Sequence, residues 1–132
     1  MSESMVQVRN VTKVYTRGKQ KVEVLHGLTL DIPKGDFVAL MGPSGSGKST
    51  LLACLAGLDE PDGGHVEVVG RRLTRRSEAE RAALRAAHIG FLLQSGNLFD
   101  HLTVKENVIL PMRLAQRYDA GRLSDMLDAV GL

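Results

Sequence analysis

The sequence predicts an α/β fold on three local observations. Phe37 to Met41 is an unbroken apolar run, the glycine-rich stretch Gly42 to Ser49 follows it at once, and a helical pattern begins inside that stretch at Lys48. A strand apolar at every position is what a parallel sheet covered on both faces requires, so Phe37 to Met41 is expected to lie centrally.

The elements follow in order. Met5 to Tyr15 and Val22 to Ile32 alternate apolar and polar residues around the polar turn Arg17-Gly18-Lys19-Gln20, which predicts an antiparallel, half-exposed β-subdomain at the N-terminus. Pro33-Lys34-Gly35-Asp36 turns the chain into the apolar strand. The helix from Lys48 to Ala56 is stopped by Gly57, and Pro61-Asp62-Gly63-Gly64 turns into a further strand from His65 to Gly70. Ser77 with Glu80 has capping-box spacing and opens a helix to Ala87, with Ala79, Ala82, Ala83 and Ala86 as a flat packing face. His88 to Gln94 is again apolar and strand-like, and Ser95 to Leu102 reads as loop. Thr103 with Glu106 opens a helix expected to bend or break near Pro111. Leu123, Met126, Leu127 and Val130 then fall at helical spacing between a start at Asp119 and a stop at Gly131.

The bulk numbers narrow the functional classes. A chain of 132 residues is expected to form one domain. Its 43% hydrophobic and 24% charged residues are those of a globular protein. Seventeen Lys and Arg against 15 Asp and Glu leave a net charge of +2, which gives no field for nucleic acid. The basic run Arg71 to Arg76 reads as a solvated face, and the single cysteine, Cys54, as a buried and inert thiol. No apolar run approaches the roughly 20 residues of a membrane span, and the start Met1-Ser2-Glu3-Ser4 carries no targeting pattern, so a cytoplasmic location is expected.

The chemistry concentrates in Gly42-Pro43-Ser44-Gly45-Ser46-Gly47-Lys48-Ser49, which matches G-x-x-x-x-G-K-[ST] between a strand and a helix, the context the motif needs. Glycines let the backbone close around a phosphate, and successive N–H groups from Gly45 to Ser49 can point inward as an anion nest at the positive end of the helix dipole. Lys48 can bridge β- and γ-phosphates, Ser49 is placed to ligate Mg²⁺, and Thr50 can donate to the α-phosphate. A dinucleotide-binding G-x-G-x-x-G is rejected, because Gly45 to Thr50 lacks its third glycine. The purine triphosphate implied is Mg·ATP.

The residues around the loop resemble the nucleotide-binding subunit of an ATP-binding cassette (ABC) transporter, in the branch serving lipoprotein-release and macrolide-export permeases. Gly42 to Leu52 is close to the family consensus, and Leu58-Asp59-Glu60-Pro61-Asp62-Gly63-Gly64 is similar to its continuation. The resemblance implies that Tyr15, in Val11-Thr12-Lys13-Val14-Tyr15, stacks on adenine. It makes Ile89 to Gln94 the Q-loop, whose glutamine, Gln94, approaches Mg²⁺ and the attacking water. It also makes Asn97 to Val108 the lining of the groove where a permease docks, with exposed apolar residues suited to a partner. The fold implied is a phosphate-loop NTPase of the ABC type, the catalytic candidates are Lys48 and Gln94, and the metal candidates are Ser49 and Gln94. The partners implied are a transmembrane permease and a second cassette in a head-to-tail dimer, which places the protein on the inner face of the membrane.

No L-S-G-G-Q signature, no apolar strand ending in Asp-Glu and no later switch histidine occur through Leu132. His26, His65, His88 and His101 follow no such strand and read as structural. The 132 residues are therefore expected to be one incomplete, truncated cassette, with hydrophobic edges exposed, that binds ATP without hydrolysing it. A non-hydrolysing module that uses Ser95 to Asn107 to occupy a permease or cassette is the alternative. An ABC-type ATPase of DNA repair or ribosomes fits less well, because the insertions or tandem cassettes usual in those proteins do not occur here.

Overall fold

The computed structural model describes residues 3–43 and 45–132. The chain divides into two compact units, residues 1–82 and 83–132.

In the first unit, β1 (Ser4–Arg17) and β2 (Gln20–Pro33) form the expected antiparallel hairpin, with Tyr15 opposite Val22 and Val8 opposite Leu30. Gly18 takes φ 61° at the first central position of the connecting turn, a conformation that costs a residue without Cβ little. The register slips between Val8 and Val11, where Asn10 adopts φ 49° and its N–H donates to Thr29 Oγ1 at 3.1 Å. An Asn tolerates this left-handed bulge because its short polar side chain finds local partners.

The helix α1 (Lys48–Leu55) ends as expected at Gly57, φ 74°. Leu58 N–H bonds Ala53 O at 2.9 Å and Gly57 N–H bonds Cys54 O at 3.2 Å, the two reversed bonds of a Schellman stop. β3 (Gly63–Val68) then pairs antiparallel with the other edge of β1, and β4 (Arg71–Arg72) closes the order β2-β1-β3-β4. Because β1 is flanked on both sides and its register slips between Val8 and Val11, both residues reach a core shared with Val66, Leu51, Cys54 and Leu73, all buried. Cys54 is buried as expected, and burial pushes its thiol up to about 11. The basic run is solvated at Arg71, Arg72, Arg75 and Arg76, although Leu73 and Thr74 between them are buried.

Two expected strands do not form. Phe37 to Met41 carries no strand pairing, and Phe37 and Met41 are 98% and 85% exposed rather than central and buried. His88 to Gln94 is likewise unpaired, with Leu92 83% exposed. The physical reason is common to both: a parallel strand is held by neighbours on its two edges, and no strand of the described sheet takes either segment as a partner.

Helix α2 (Glu78–His88) starts on schedule, with Ser77 Oγ accepting Glu80 N–H at 3.2 Å, but the Glu80 carboxylate pairs with Arg76 at 3.0 Å. Its alanine face is not buried: Ala79 and Ala83 are exposed and Ala82 and Ala86 half-buried. An alanine stripe offers too little apolar area to hold a face against the core by itself.

In the second unit, α3 (Val104–Leu114) carries the complete capping box of Thr103 and Glu106 and packs with α4 (Ala120–Ala129). Of the bend or break expected near Pro111, the break does not occur; the helix continues to Leu114, and Ala115 N–H still reaches Pro111 O at 3.0 Å. Proline removes one donor and leaves the bonds formed by later residues intact. Asp119 caps α4 by accepting Arg122 N–H at 3.1 Å, and Gly131, φ 79°, ends it. Leu123 is buried, whereas Met126 and Val130 are exposed. Among the described residues, no helix is long and apolar enough to cross a membrane.

Candidate functional site

The glycine loop is shaped by contacts that glycine alone permits. At Gly47, φ 95°, an added Cβ would lie 3.0 Å from Val24 Cγ1 and 3.1 Å from Val24 O, so the loop is seated directly on β2. At Gly42, a Cβ would meet Ser46 Oγ at 2.8 Å. Ser46 N–H turns back to Pro43 O at 3.2 Å, and Gly45 takes φ 83°. Lys48 Nζ donates to Gly42 O and, at 3.0 Å, to Pro43 O, which holds the ammonium over the loop. Ser44 lies outside the described residues.

This loop opens a helix whose first turn is left for an anion. Gly47 is the N-cap and offers no side chain to the first N–H groups, and no acidic residue stands in the first turn. The N–H groups of Lys48, Ser49 and Thr50 precede the first intrahelical bond, Leu51 N–H to Gly47 O at 2.9 Å. Donor N–H groups, a helix dipole, one lysine and two hydroxyls, with the loop exposed, fit a polyphosphate and a hard cation bridging it. Beneath the loop, a groove of about 550 Å³ runs between β2, Leu40, Met41 and Leu51. Its lining is largely apolar, so it does not suit phosphate.

Tyr15 stands on β1, 39% exposed, and opposite Val22, two residues along β2 from the Val24 that supports Gly47. That is about 7 Å at the rise of a strand. Its hydroxyl donates to Asp59 Oδ2 at 2.9 Å, and Lys13 Nζ lies over its ring, 5.3 Å from the centroid. Lys13 Nζ in turn donates to Asp59 Oδ1 at 3.2 Å and to Glu60 O at 2.7 Å. Burial would raise the Asp59 carboxyl, but the hydrogen bonds from Tyr15 and Lys13 hold it below the usual carboxylate range. Burial likewise pulls Lys13 down, and Asp59 more than offsets that. Asp62 completes the join: its carboxylate accepts Val14 N–H at 2.6 Å and its own N–H reaches Thr12 O at 2.8 Å.

Lys13 and Asp59 were not among the sequence-predicted site residues. Lys13 lies on the same face of the strand as Tyr15, which is legible, but Asp59 is 44 residues away and nothing local pairs it with Tyr15.

Gln94 belongs to the second unit, in the exposed bend after Leu93. The loop that follows is ordered by two asparagines. Asn97 Oδ1 accepts Leu93 N–H at 2.6 Å while its Nδ2 donates to Leu93 O at 2.7 Å. Asn107 Oδ1 accepts Phe99 N–H at 2.8 Å, and its Nδ2 donates to Thr103 O at 2.9 Å. With its backbone pinned in this way, the loop presents Leu98 and Phe99, 73% and 51% exposed.

Comparison with known proteins identifies the family. The ABC transporter family profile matches residues 25–132. An uncharacterized ABC transporter ATP-binding protein of Methanocaldococcus jannaschii is 46% identical over 131 residues, covering 97% of this chain and 58% of that protein. The lipoprotein-releasing system ATP-binding protein LolD of Saccharophagus degradans is 41% identical and covers 100% of this chain and 59% of its own length. Among solved structures, the dimeric post-hydrolysis state of the ATP-binding cassette MJ0796 bound to ADP and Pi superposes with a TM-score of 0.88 at 36% identity, over 97% of this chain and 58% of that one. The chain thus spans less than two thirds of the length of these relatives. It belongs to the ABC transporter family.

Proposed function

We propose that this member of the family binds Mg·ATP at Gly42 to Thr50 and serves as the ATP-binding part of a transporter, coupling nucleotide binding and hydrolysis to a membrane permease. The observation that carries this reading is the start of α1: an uncapped first turn free of acidic residues, entered through a glycine loop that holds Lys48 Nζ.

The residues divide the work by chemistry. The backbone N–H groups from Gly45 to Ser49 grip the β-phosphate, while Gly42, Pro43 and Ser46 shape the loop. Lys48 exchanges its two carbonyl partners for phosphate oxygens and neutralises charge between the β- and γ-positions. Ser49 supplies a hydroxyl to Mg²⁺, and Thr50 donates toward the α-phosphate. The Tyr15 ring stacks on adenine. Gln94 is assigned to the Mg²⁺ and the attacking water. Mg²⁺ held there would supply Lewis-acid chemistry to the terminal phosphate.

The ordered loop with exposed Leu98 and Phe99 supports a permease-facing surface between Ser95 and Asn107. Through such a permease the protein sits peripherally on the inner face of the membrane and acts as a head-to-tail dimer with a second cassette, a reading supported by the dimer reported for MJ0796.

The test is calorimetric titration of Mg·ATP into the chain and into Lys48→Ala, with phosphate release measured alongside. Removing a charge-assisted donor costs about 1.5 to 3 kcal/mol, so affinity is expected to fall at least about tenfold. Equal affinity for both proteins refutes the phosphate-loop assignment.

A further inference from the structure

We propose that Asp59 is a positioning residue for the nucleotide base, because its two carboxylate oxygens pin the Tyr15 hydroxyl and the Lys13 ammonium and so fix the Tyr15 ring as a one-faced stacking platform. This rests on the reading above that Tyr15 meets adenine.

Tyr15 sits near the turn end of a two-stranded ribbon, two residues before Arg17, and is 39% exposed. A tyrosine there is free to choose between side-chain rotamers, and each rotamer lost on binding weakens affinity. Asp59 removes that choice: a hydrogen bond of 2.9 Å from the phenol oxygen to Oδ2 fixes the far end of the ring, while Lys13 Nζ, 5.3 Å from the centroid, covers one face. A base can then stack only on the face away from Lys13. Lys13 is itself held by Asp59 Oδ1 at 3.2 Å and Glu60 O at 2.7 Å, so both groups bounding the ring refer to the same turn.

That turn follows the C-terminal end of α1, the helix whose N-terminus is the phosphate loop, and is tied to it by the bond from Asp59 N–H to Ala53 O at 3.2 Å. Its carboxylate orientation is fixed from below, since Oδ1 also accepts Glu60 N–H at 2.9 Å. Asp62 adds the bond from Val14 N–H at 2.6 Å, which joins the turn to the backbone of β1 itself. One eight-residue helix therefore references the base platform to the phosphate site. Asp59 touches neither the base nor the phosphates and acts only through Tyr15 and Lys13.

The experiment compares Mg·ATP with Mg·tripolyphosphate, which carries the phosphates and no base, by calorimetry on the wild-type chain, Asp59→Ala, Asp59→Asn and Tyr15→Phe. Asp59→Ala is expected to weaken ATP about tenfold and leave tripolyphosphate affinity within about twofold. Asp59→Asn keeps one acceptor and is expected to fall between wild type and Asp59→Ala. Tyr15→Phe retains the ring and loses only the anchored hydroxyl, so it is expected to weaken ATP as Asp59→Ala does, and the double variant to be no weaker than either. Equal losses for both ligands in Asp59→Ala would mean that the residue holds the fold rather than the ring, and would overturn the proposal. So would an unchanged ATP affinity in Tyr15→Phe, which reads the pin even if Asp59→Ala fails to fold. If the wild-type chain binds ATP and tripolyphosphate but Lys48→Ala binds them equally well, it is the phosphate-loop assignment that fails instead.

Discussion

Gly47→Ala perturbs the point where the phosphate loop rests on the hairpin, and its cost can be worked from two separable terms. At φ 95° an L-residue is strained, by about 1 to 2 kcal/mol for a left-handed backbone. The new Cβ would also lie 3.0 Å from Val24 Cγ1, 3.1 Å from Val24 O and 3.2 Å from Leu25 Cδ2. The methyl groups can move by a few tenths of an ångström, but Val24 O is backbone held between Glu23 and Leu25, which are both paired with β1, so overpacking adds about 1 to 3 kcal/mol. Gly35→Ala isolates the first term, because Gly35 has φ 80° and nothing within 4 Å of the added atom. Urea unfolding followed by far-UV circular dichroism is expected to show about 3 kcal/mol lost in Gly47→Ala and about half of that in Gly35→Ala. In melting temperature this is about 12 °C against about 6 °C for a chain of this size. If Gly47→Ala is no less stable than Gly35→Ala, the loop does not bear on Val24 and the seating of the site on β2 is wrong.

Three further outcomes are expected. Val69 takes φ 54° beside Gly70, φ 71°, in the two-residue turn between β3 and β4, where a β-branched residue is strained; Val69→Asn is expected to stabilise the chain by about 1 kcal/mol in the same urea assay. Cys54, with its thiol pushed up to about 11, is expected to resist iodoacetamide at pH 8 in the native chain and to react on unfolding; its folded pKa lies above the ordinary value, so its contribution to stability is full below pH 9.0 and is lost as pH rises through about 11. Thr103→Ala removes the side-chain half of the α3 cap, the bond from Glu106 N–H to Thr103 Oγ1, while the bond from its backbone N–H to Glu106 Oε1 stays possible; it is expected to cost about 1 kcal/mol, read as faster amide exchange in the first turn. Because the backbone N–H and hydroxyl of Thr103 hold the Glu106 carboxyl below the usual carboxylate range, this cap is expected to persist at neutral pH and weaken as pH falls through the depressed value.

What the sequence disclosed depended on how far each signal reached. The β1–β2 hairpin, the start and stop of α1 and the Thr103 cap are encoded within a few residues, and each was legible from alternation, a glycine or a spacing of three. Phe37 to Met41 and His88 to Gln94 were misread because apolarity marks what a segment can do when paired, whereas strand formation depends on partners elsewhere in the chain. The same split holds at the site. Gly42 to Ser49 announces itself as a contiguous motif, while the join of Lys13 and Tyr15 to Asp59 spans 46 and 44 residues and arises only when α1 returns its end to β1. Pro111 does not break α3, since a single lost donor is a local penalty that an otherwise sound helix can carry.

The open apolar segment before the phosphate loop has a consequence for handling the protein. Phe37-Val38-Ala39-Leu40-Met41 is uncharged, free of proline and unpaired along both backbone edges among the described residues, which is the composition of a segment that stacks with its own copies into cross-β ribbons. Lys34 and Asp36 on one side and Pro43 on the other flank it as gatekeepers, interrupting any ribbon that tries to lengthen past five residues. Replacing Asp36 or Pro43 with an apolar residue would remove that check. Shelf life in concentrated solution, more than melting temperature, is the property in which such a change would first appear.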